Sequence, residues 1–215
     1  MLKESVRMKV NVQDCGRSMI EMLGVLSIVG VLSVGGLVGY SKAMMRYRIN
    51  KTMSEIALIA GNVRAFFAPQ RSFTGLDSGT EAGINLIKKT NIVPANMISD
   101  TPTTTNTFTS YILNEWGDIM RIAAFNTSAF VVSLHSVPTE ACIELSSQDW
   151  YSANVPVLYI NNTFHTSEAG AVNYTLKTPA DMVKVTQACS SDDGLSDLVL
   201  YFDEDINKGA WPEEL

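Results

Sequence analysis

The chain has 215 residues, of which 46% are hydrophobic and 18% charged, with a formal net charge of −6 and a pI near 4.9. An acidic chain is a poor non-specific binder of nucleic-acid phosphates, so no direct nucleic-acid partner is expected. Its two His, His135 and His165, lie thirty residues apart, and no nucleophile motif or metal-type His/Cys spacing accompanies them. No enzyme, cofactor or resident metal is therefore expected.

Residues 1–16 are polar, with no apolar run, and carry Lys3, Arg7 and Lys9 against Glu4 and Asp14. That peptide has net charge +1, so the remainder carries −7. From Met22 to Tyr40 there are nineteen residues without a charge, rich in Leu, Val, Ile and Gly. A helix over them, at ~1.5 Å per residue, spans roughly 28 Å, close to the hydrocarbon thickness of a bilayer. Glu21 is the lone carboxylate at its lip. Gly35 and Gly39 form a small-xxx-small pair that lets helices approach in lipid. Gly35 and Gly36 also make a weak point, where the segment bends or stretches once it leaves the bilayer.

Beyond Tyr40 the pattern changes. Met45, Ile49, Met53, Ile56, Ile59, Ala60, Val63 and Phe67 recur at intervals of three and four, with Arg46, Arg48, Asn50, Glu55, Asn62 and Arg64 on the other faces. This amphipathic stripe predicts a helix with one face buried on a globular head. Pro69 ends it.

Residues 69–83 read as a loop and Ile84 to Thr90 as a short helix. The Thr-rich stretch 94–110 reads as an exposed loop before a sheet. Asp118 to Phe125 and Ala129 to Val137 read as a hairpin that Pro138 closes. A helix from Thr139 to about Trp150 carries Cys142, and Val155 to Asn161 reads as a strand. Residues 162–178 are polar and read as irregular. A helix begins at Thr178-Pro179-Ala180-Asp181 and carries Cys189 near its end. A loop, SSDDGLSD, leads to a strand over Leu198 to Phe202, and the acidic tail from Asp203 reads as frayed.

The order of a short charged leader ending in Gly16, then GRSMIEMLGVLSIVGVLS with a Glu before an apolar helix, resembles a type IV prepilin. The resemblance implies cleavage by prepilin peptidase between Gly16 and Arg17. Arg17 would then be the new N-terminal residue, whose amine is methylated in that family, and Glu21 the fifth residue of the mature chain. Arg17 departs from the Phe, Met or Leu usual at that place. The alternatives are an uncut signal anchor and a cleaved secretory signal.

Positive charge before the helix predicts a cytoplasmic N-terminus. Lys42, Arg46, Arg48 and Lys51 follow the helix and oppose that orientation, and the resemblance decides between them. The proposed cut discards Cys15. It leaves Cys142 and Cys189 as a pair in an oxidising compartment, a disulfide or, alternatively, two buried thiols.

The fold implied is α+β: a long N-terminal helix, membrane half plus amphipathic half, on an antiparallel β-sheet head with a disulfide-closed C-terminal segment. The organisation implied is leader 1–16, helix 17–68 (17–40 transmembrane and filament core, 41–68 amphipathic) and head 69–215. Two helices between Pro138 and Cys189, together with NEWGDIMRIAAF and FVVSLHSVPTEACIEL, resemble the larger type IVb subclass.

The implied function is a structural pilus subunit for adhesion, aggregation, motility or DNA transfer. The subunit would be held first in the inner membrane and then in a surface filament. Implied partners are copies of itself, minor pilins, the prepilin peptidase, the assembly platform and a host-cell or surface receptor. In that family the Glu is thought to meet the N-terminal amine of a neighbouring subunit. Arg17 could instead pair with Glu21 within one chain, and a hydrated Glu21 at headgroup level is the plain alternative.

A type II secretion pseudopilin shares the first 50 residues, and a non-polymerising membrane-anchored binding protein shares the topology. Asp192, Asp193, Asp197, Asp203, Glu204 and Asp205 are weighed as a Ca²⁺ site against a solvated acidic loop. Trp116, Trp150, Tyr151 and Trp211 are weighed as a receptor surface against core packing.

Overall fold

A computed structural model describes residues 19–100, 110–150, 155, 157–160, 174–177, 180–191 and 194–203. Helix α1 (Met19–Phe67) runs without interruption through Gly35 and Gly36. No proline lies between residue 17 and residue 68, so no intrahelical donor is missing. At its end Arg71 turns back to donate to the Phe67 carbonyl at 3.1 Å and takes a positive φ of 49°. By its contacts the chain divides into two units, residues 1–44 and Met45–Leu215.

In the second unit the periodic stripe of α1 is buried as its spacing predicts. Ile49, Ile56, Ile59, Ala60, Val63 and Phe67 are core residues, and Met45 and Met53 pack at the margin. One expectation fails here. Glu55, read as lying on an outer face, is 8% exposed, and Thr52 one turn before it is fully buried. The buried sector is wider than the apolar stripe, because the turn that carries Glu115 also meets α1, at Lys51.

Helix α2 (Glu81–Thr90) begins three residues earlier than its apolar pattern suggests. Thr80 caps it, accepting from the Gly83 amide at 3.1 Å, and Asn91 ends it in the left-handed region at φ 52°. A Cβ on Gly83 would collide with the Asp77 carbonyl, so the tight approach of this loop to the helix requires glycine there.

The sheet has seven strands among the described residues, in the order β1-β2-β3-β4-β7-β5-β6, and each neighbouring pair is antiparallel. The strands are β1 (Ile98–Ser99), β2 (Tyr111–Leu113), β3 (Ile119–Ala124), β4 (Ala129–Pro138), β5 (Val157–Ile160), β6 (Tyr174–Lys177) and β7 (Leu195–Asp203). The β3–β4 hairpin forms where alternation placed it, with Phe125 donating to the Ala129 carbonyl across the turn.

Other stretches differ from their sequence reading. Ile98 and Ser99, read as loop, pair with Ile112 and Tyr111. Residues 76–78, also read as loop, cover the part of the β3 edge that short β2 leaves unpaired. Ser78 donates to the Ile122 carbonyl, Ile122 donates back to the Ser78 hydroxyl, and Ala124 donates to the Leu76 carbonyl. Strand β6 lies in a stretch read as irregular, and its order comes from β5 beside it. Strand β7 starts at Leu195, three residues early, because Leu195 and Ser196 pair with Pro138 and Val137 beyond a bulge in β4.

Helix α3 (Thr139–Ser146) stops short of Trp150. The chain turns back there, and the Trp150 indole donates to the Leu145 carbonyl at 2.6 Å. Helix α4 (Met182–Ala188) is capped by Asp181, which accepts from the Val183 amide at 3.0 Å.

The two sheet faces are both apolar. One carries Ile112, Met120, Ile122, Phe130, Val132, Leu134, Leu198, Leu200 and Phe202 against α1, α2, α3 and α4. Phe67, Phe73, Phe130 and Phe202 form an aromatic chain, ring to ring at 5.8, 4.9 and 4.7 Å. Arg64 of α1 lies over Phe130 and Phe202, 6.0 and 5.5 Å from their centroids. The other face gathers Val131, Val157, Tyr159, Val199 and Tyr201. Burial, then the nearby Tyr201, raises the Tyr159 phenol to about 12. Burial, then Asp203, raises Tyr201.

Candidate assembly surface

The first part of α1 is apolar around its whole circumference, and no residue of its hydrophobic window is buried. Leu23, Leu26, Val29, Leu32 and Leu37 are all more than half exposed, although side chains of this kind normally lie inside. By length and composition this helix is able to cross a membrane. Its polar side chains are consistent with a dry environment. The hydroxyls of Ser27, Ser33 and Ser41 donate to the carbonyls of Gly24, Val29 and Leu37 at 2.8, 2.7 and 3.0 Å. Each hydroxyl proton is thus satisfied within the helix. A Cβ at Gly24, Gly30, Gly35, Gly36 or Gly39 would meet nothing within 4 Å, so these positions are open to close approach by another body.

Glu21 lies in the first turn of α1 and is exposed. A carboxylate there is favoured by the positive end of the helix dipole. Gly16 and Arg17 lie outside the described residues.

At the other end of the chain, Cys142 of α3 and the C-cap Cys189 of α4 are joined in a disulfide, with Cα atoms 5.8 Å apart. The bridge closes the segment between β4 and β7 in the chain, which carries β5 and β6 of the same sheet. Both half-cystines are fully buried in the main core.

A family model described as PilS N terminal matches residues 46–200. The chain belongs to this family of type IV pilins. The match spans most of the chain and begins just beyond the uniformly apolar part of α1. Among solved structures, the type IVb pilin from Salmonella typhi is similar, at 16% identity and a TM-score of 0.49, covering 72% of this chain and 99% of that one. No curated protein sequence matches.

Among the described residues of the pilin head, His135, Ser136 and Asp197 have structural partners. The His135 Nδ1 lies 3.2 Å from Asp197, which also accepts from the Ser136 amide at 3.1 Å. The Ser136 hydroxyl donates to Asp118 instead of to His135, so the two neighbours do not form a nucleophile–base pair. Ser136 has φ 54° and sits in the β4 bulge, held by carboxylates from two other segments.

Asp197 is therefore a brace of the bulge. His165, Asp192, Asp193, Glu204 and Asp205 lie outside the described residues, and Asp203 ends β7. Among the described residues no cluster of three or more His, Cys, Asp or Glu is arranged to hold a metal. Trp150 is buried and Trp116 packs against the same core, while Tyr151 and Trp211 lie outside the described residues.

Proposed function

We propose that this pilin is the structural subunit of a type IVb pilus and that the first part of α1 is its polymerisation element. The observation that carries the reading is the exposed, uniformly apolar helix with a single carboxylate at its start. Water disfavours that surface, and two environments can hide it: a bilayer, or a bundle of identical helices. In the inner membrane it anchors the precursor. Prepilin peptidase cuts between Gly16 and Arg17, Arg17 becomes the methylated N-terminus, and the assembly platform transfers the helix into a filament with copies of itself and with minor pilins.

Within a dry bundle Glu21 needs a positive partner, and the new amine of a neighbouring subunit supplies one. Such a pair sets the axial stagger of the subunits without having to add net stability. A contact between different patches of identical subunits that does not close into a ring generates a helical fibre. Heads then line the outside of the fibre, where their loops reach a surface or a host-cell receptor for adhesion or aggregation. The type IVb placement draws support from the disulfide-closed segment that carries α3 and α4.

The test has two readouts in cells that carry the assembly system. Mass and N-terminal sequencing of the mature product are expected to give a chain beginning at Arg17. Electron microscopy is expected to show surface fibres that disappear on deletion of the chain and in Glu21→Ala. A native product that still begins at Met1, or Glu21→Ala fibres of normal number and length, would overturn the assignment of those residues.

A further inference from the structure

The amphipathic part of α1 carries a polar cluster that the assembly reading does not use. Lys51 reaches two carboxylates. Its Nζ lies 2.7 Å from Glu115 Oε1 and 3.7 Å from Glu55 Oε1. Glu115 belongs to the turn between β2 and β3, so the contact joins helix to sheet. Glu55 is the buried member, and its Oε2 has no hydrogen-bond partner among the described residues. An ionised carboxylate oxygen in that position lacks the donors that normally compensate burial. Two carboxylates also share one ammonium, which leaves a net negative charge in a partly dry site.

We propose that Glu55 and Glu115 form a proton-binding clasp, in which one proton held between the two carboxyl groups ties α1 to the β2–β3 turn. The proton comes from solvent. It resides on Glu55, whose hydroxyl donates to the Glu115 carboxylate, while Lys51 offsets the charge that remains on Glu115. The protonated cluster is neutral and its buried oxygen is satisfied. On deprotonation the two carboxylates repel one another, and the clasp between helix and turn loosens.

The charged groups facing Glu55 are Lys51 from its own helix and Glu115 from the turn, and Tyr47 acts on Lys51. Burial is the main force raising the Glu55 carboxyl above its usual range. The charge of Glu115 and a hydrogen bond with it act in the same sense, and Lys51 opposes them. A carboxyl raised in the folded state contributes stability that is fully present below its unfolded pKa and is lost as pH rises through the folded value. The clasp therefore loosens as the pH rises through the folded-state value of Glu55, which lies above the ordinary glutamate range. This inference stands apart from the filament reading, because it concerns a single subunit.

The full-length chain in detergent micelles provides the test. Glu55→Gln imitates the protonated state. It is expected to melt roughly 2–4 °C above the wild type at neutral pH, with the gap closing as the pH falls toward about 4. A gap that stays constant with pH would overturn the clasp.

Should Glu55→Gln fail to fold, a carboxyl ¹³C titration of the wild type and of Glu115→Gln decides. The Glu55 midpoint is expected above the ordinary glutamate range and is expected to fall when Glu115 is neutralised. An ordinary midpoint, or one indifferent to Glu115→Gln, would overturn the proposal.

Discussion

The two parts of α1 use one backbone geometry for opposite ends. From Met22 to Tyr40 the helix is apolar on every side, and every residue there is exposed. From Met45 onward apolar residues recur at helical spacing, and the face they define is the centre of the head's core. A uniform distribution of apolar side chains calls for an environment supplied from outside. A periodic one selects a single face and is satisfied by the chain's own sheet. Hydropathy content thus decides that a segment is buried, and hydropathy period decides by what.

That contrast is open to measurement on the full-length chain in micelles. The largest effect is expected from Cys142→Ala with Cys189→Ala. Opening a loop of 47 residues costs the head about 4 kcal/mol in the chain-entropy model, seen as a lower melting temperature with the α1 signal retained.

Ile59→Ala, in the periodic part, is expected to cost about 2–5 kcal/mol, since Ile59 is fully buried. Leu26→Ala, in the uniform part, serves as its counterpart. It is expected to leave the head's melting within about 0.5 kcal/mol of the wild type. Equal losses from the two would remove the distinction drawn here.

Asp100→Asn is expected to act more weakly than Ile59→Ala. A hydrogen bond from Lys88, then one from Ser110, holds the Asp100 carboxyl below its usual pKa. Its contribution is present above the unfolded pKa and disappears as the pH falls through the lower folded value. The melting difference between Asp100→Asn and wild type should therefore vanish in acid. A difference that persists there would assign the effect to something other than this charge.

Much of the fold is legible without coordinates wherever the signal is local. The α1 stripe, the Asp118–Val137 hairpin and the helices carrying Cys142 and Cys189 all follow from spacing, turn residues and caps. The strands that differ from their sequence reading share one cause. Residues 174–177 and 195–197 are polar enough to read as connection, and they become strand because β5 and the far end of β4 present free edges to them. The burial of Glu55 has the same kind of cause, a contact from a distant segment.

Its position between Thr52 and Ile59 on one side of the helix was a usable signal. Glu115, which meets it through Lys51, lies sixty residues further on. Of the candidate assembly surface, the apolar run and the lone Glu21 were plain from composition, whereas the satisfaction of Ser27, Ser33 and Ser41 within the helix needed atomic positions.

The sequence by itself determined a long proline-free helix, its division into uniform and periodic parts, and the cysteine pair, because each is a property of residues near one another or of a simple count. Only the tertiary structure decided that β7 inserts between β4 and β5, that the loop at 76–78 finishes the β3 edge, and that a buried acid on α1 meets another acid from the β2–β3 turn. Those outcomes depend on which unpaired hydrogen-bonding groups and which charges meet across long stretches of chain, and no local pattern encodes such meetings.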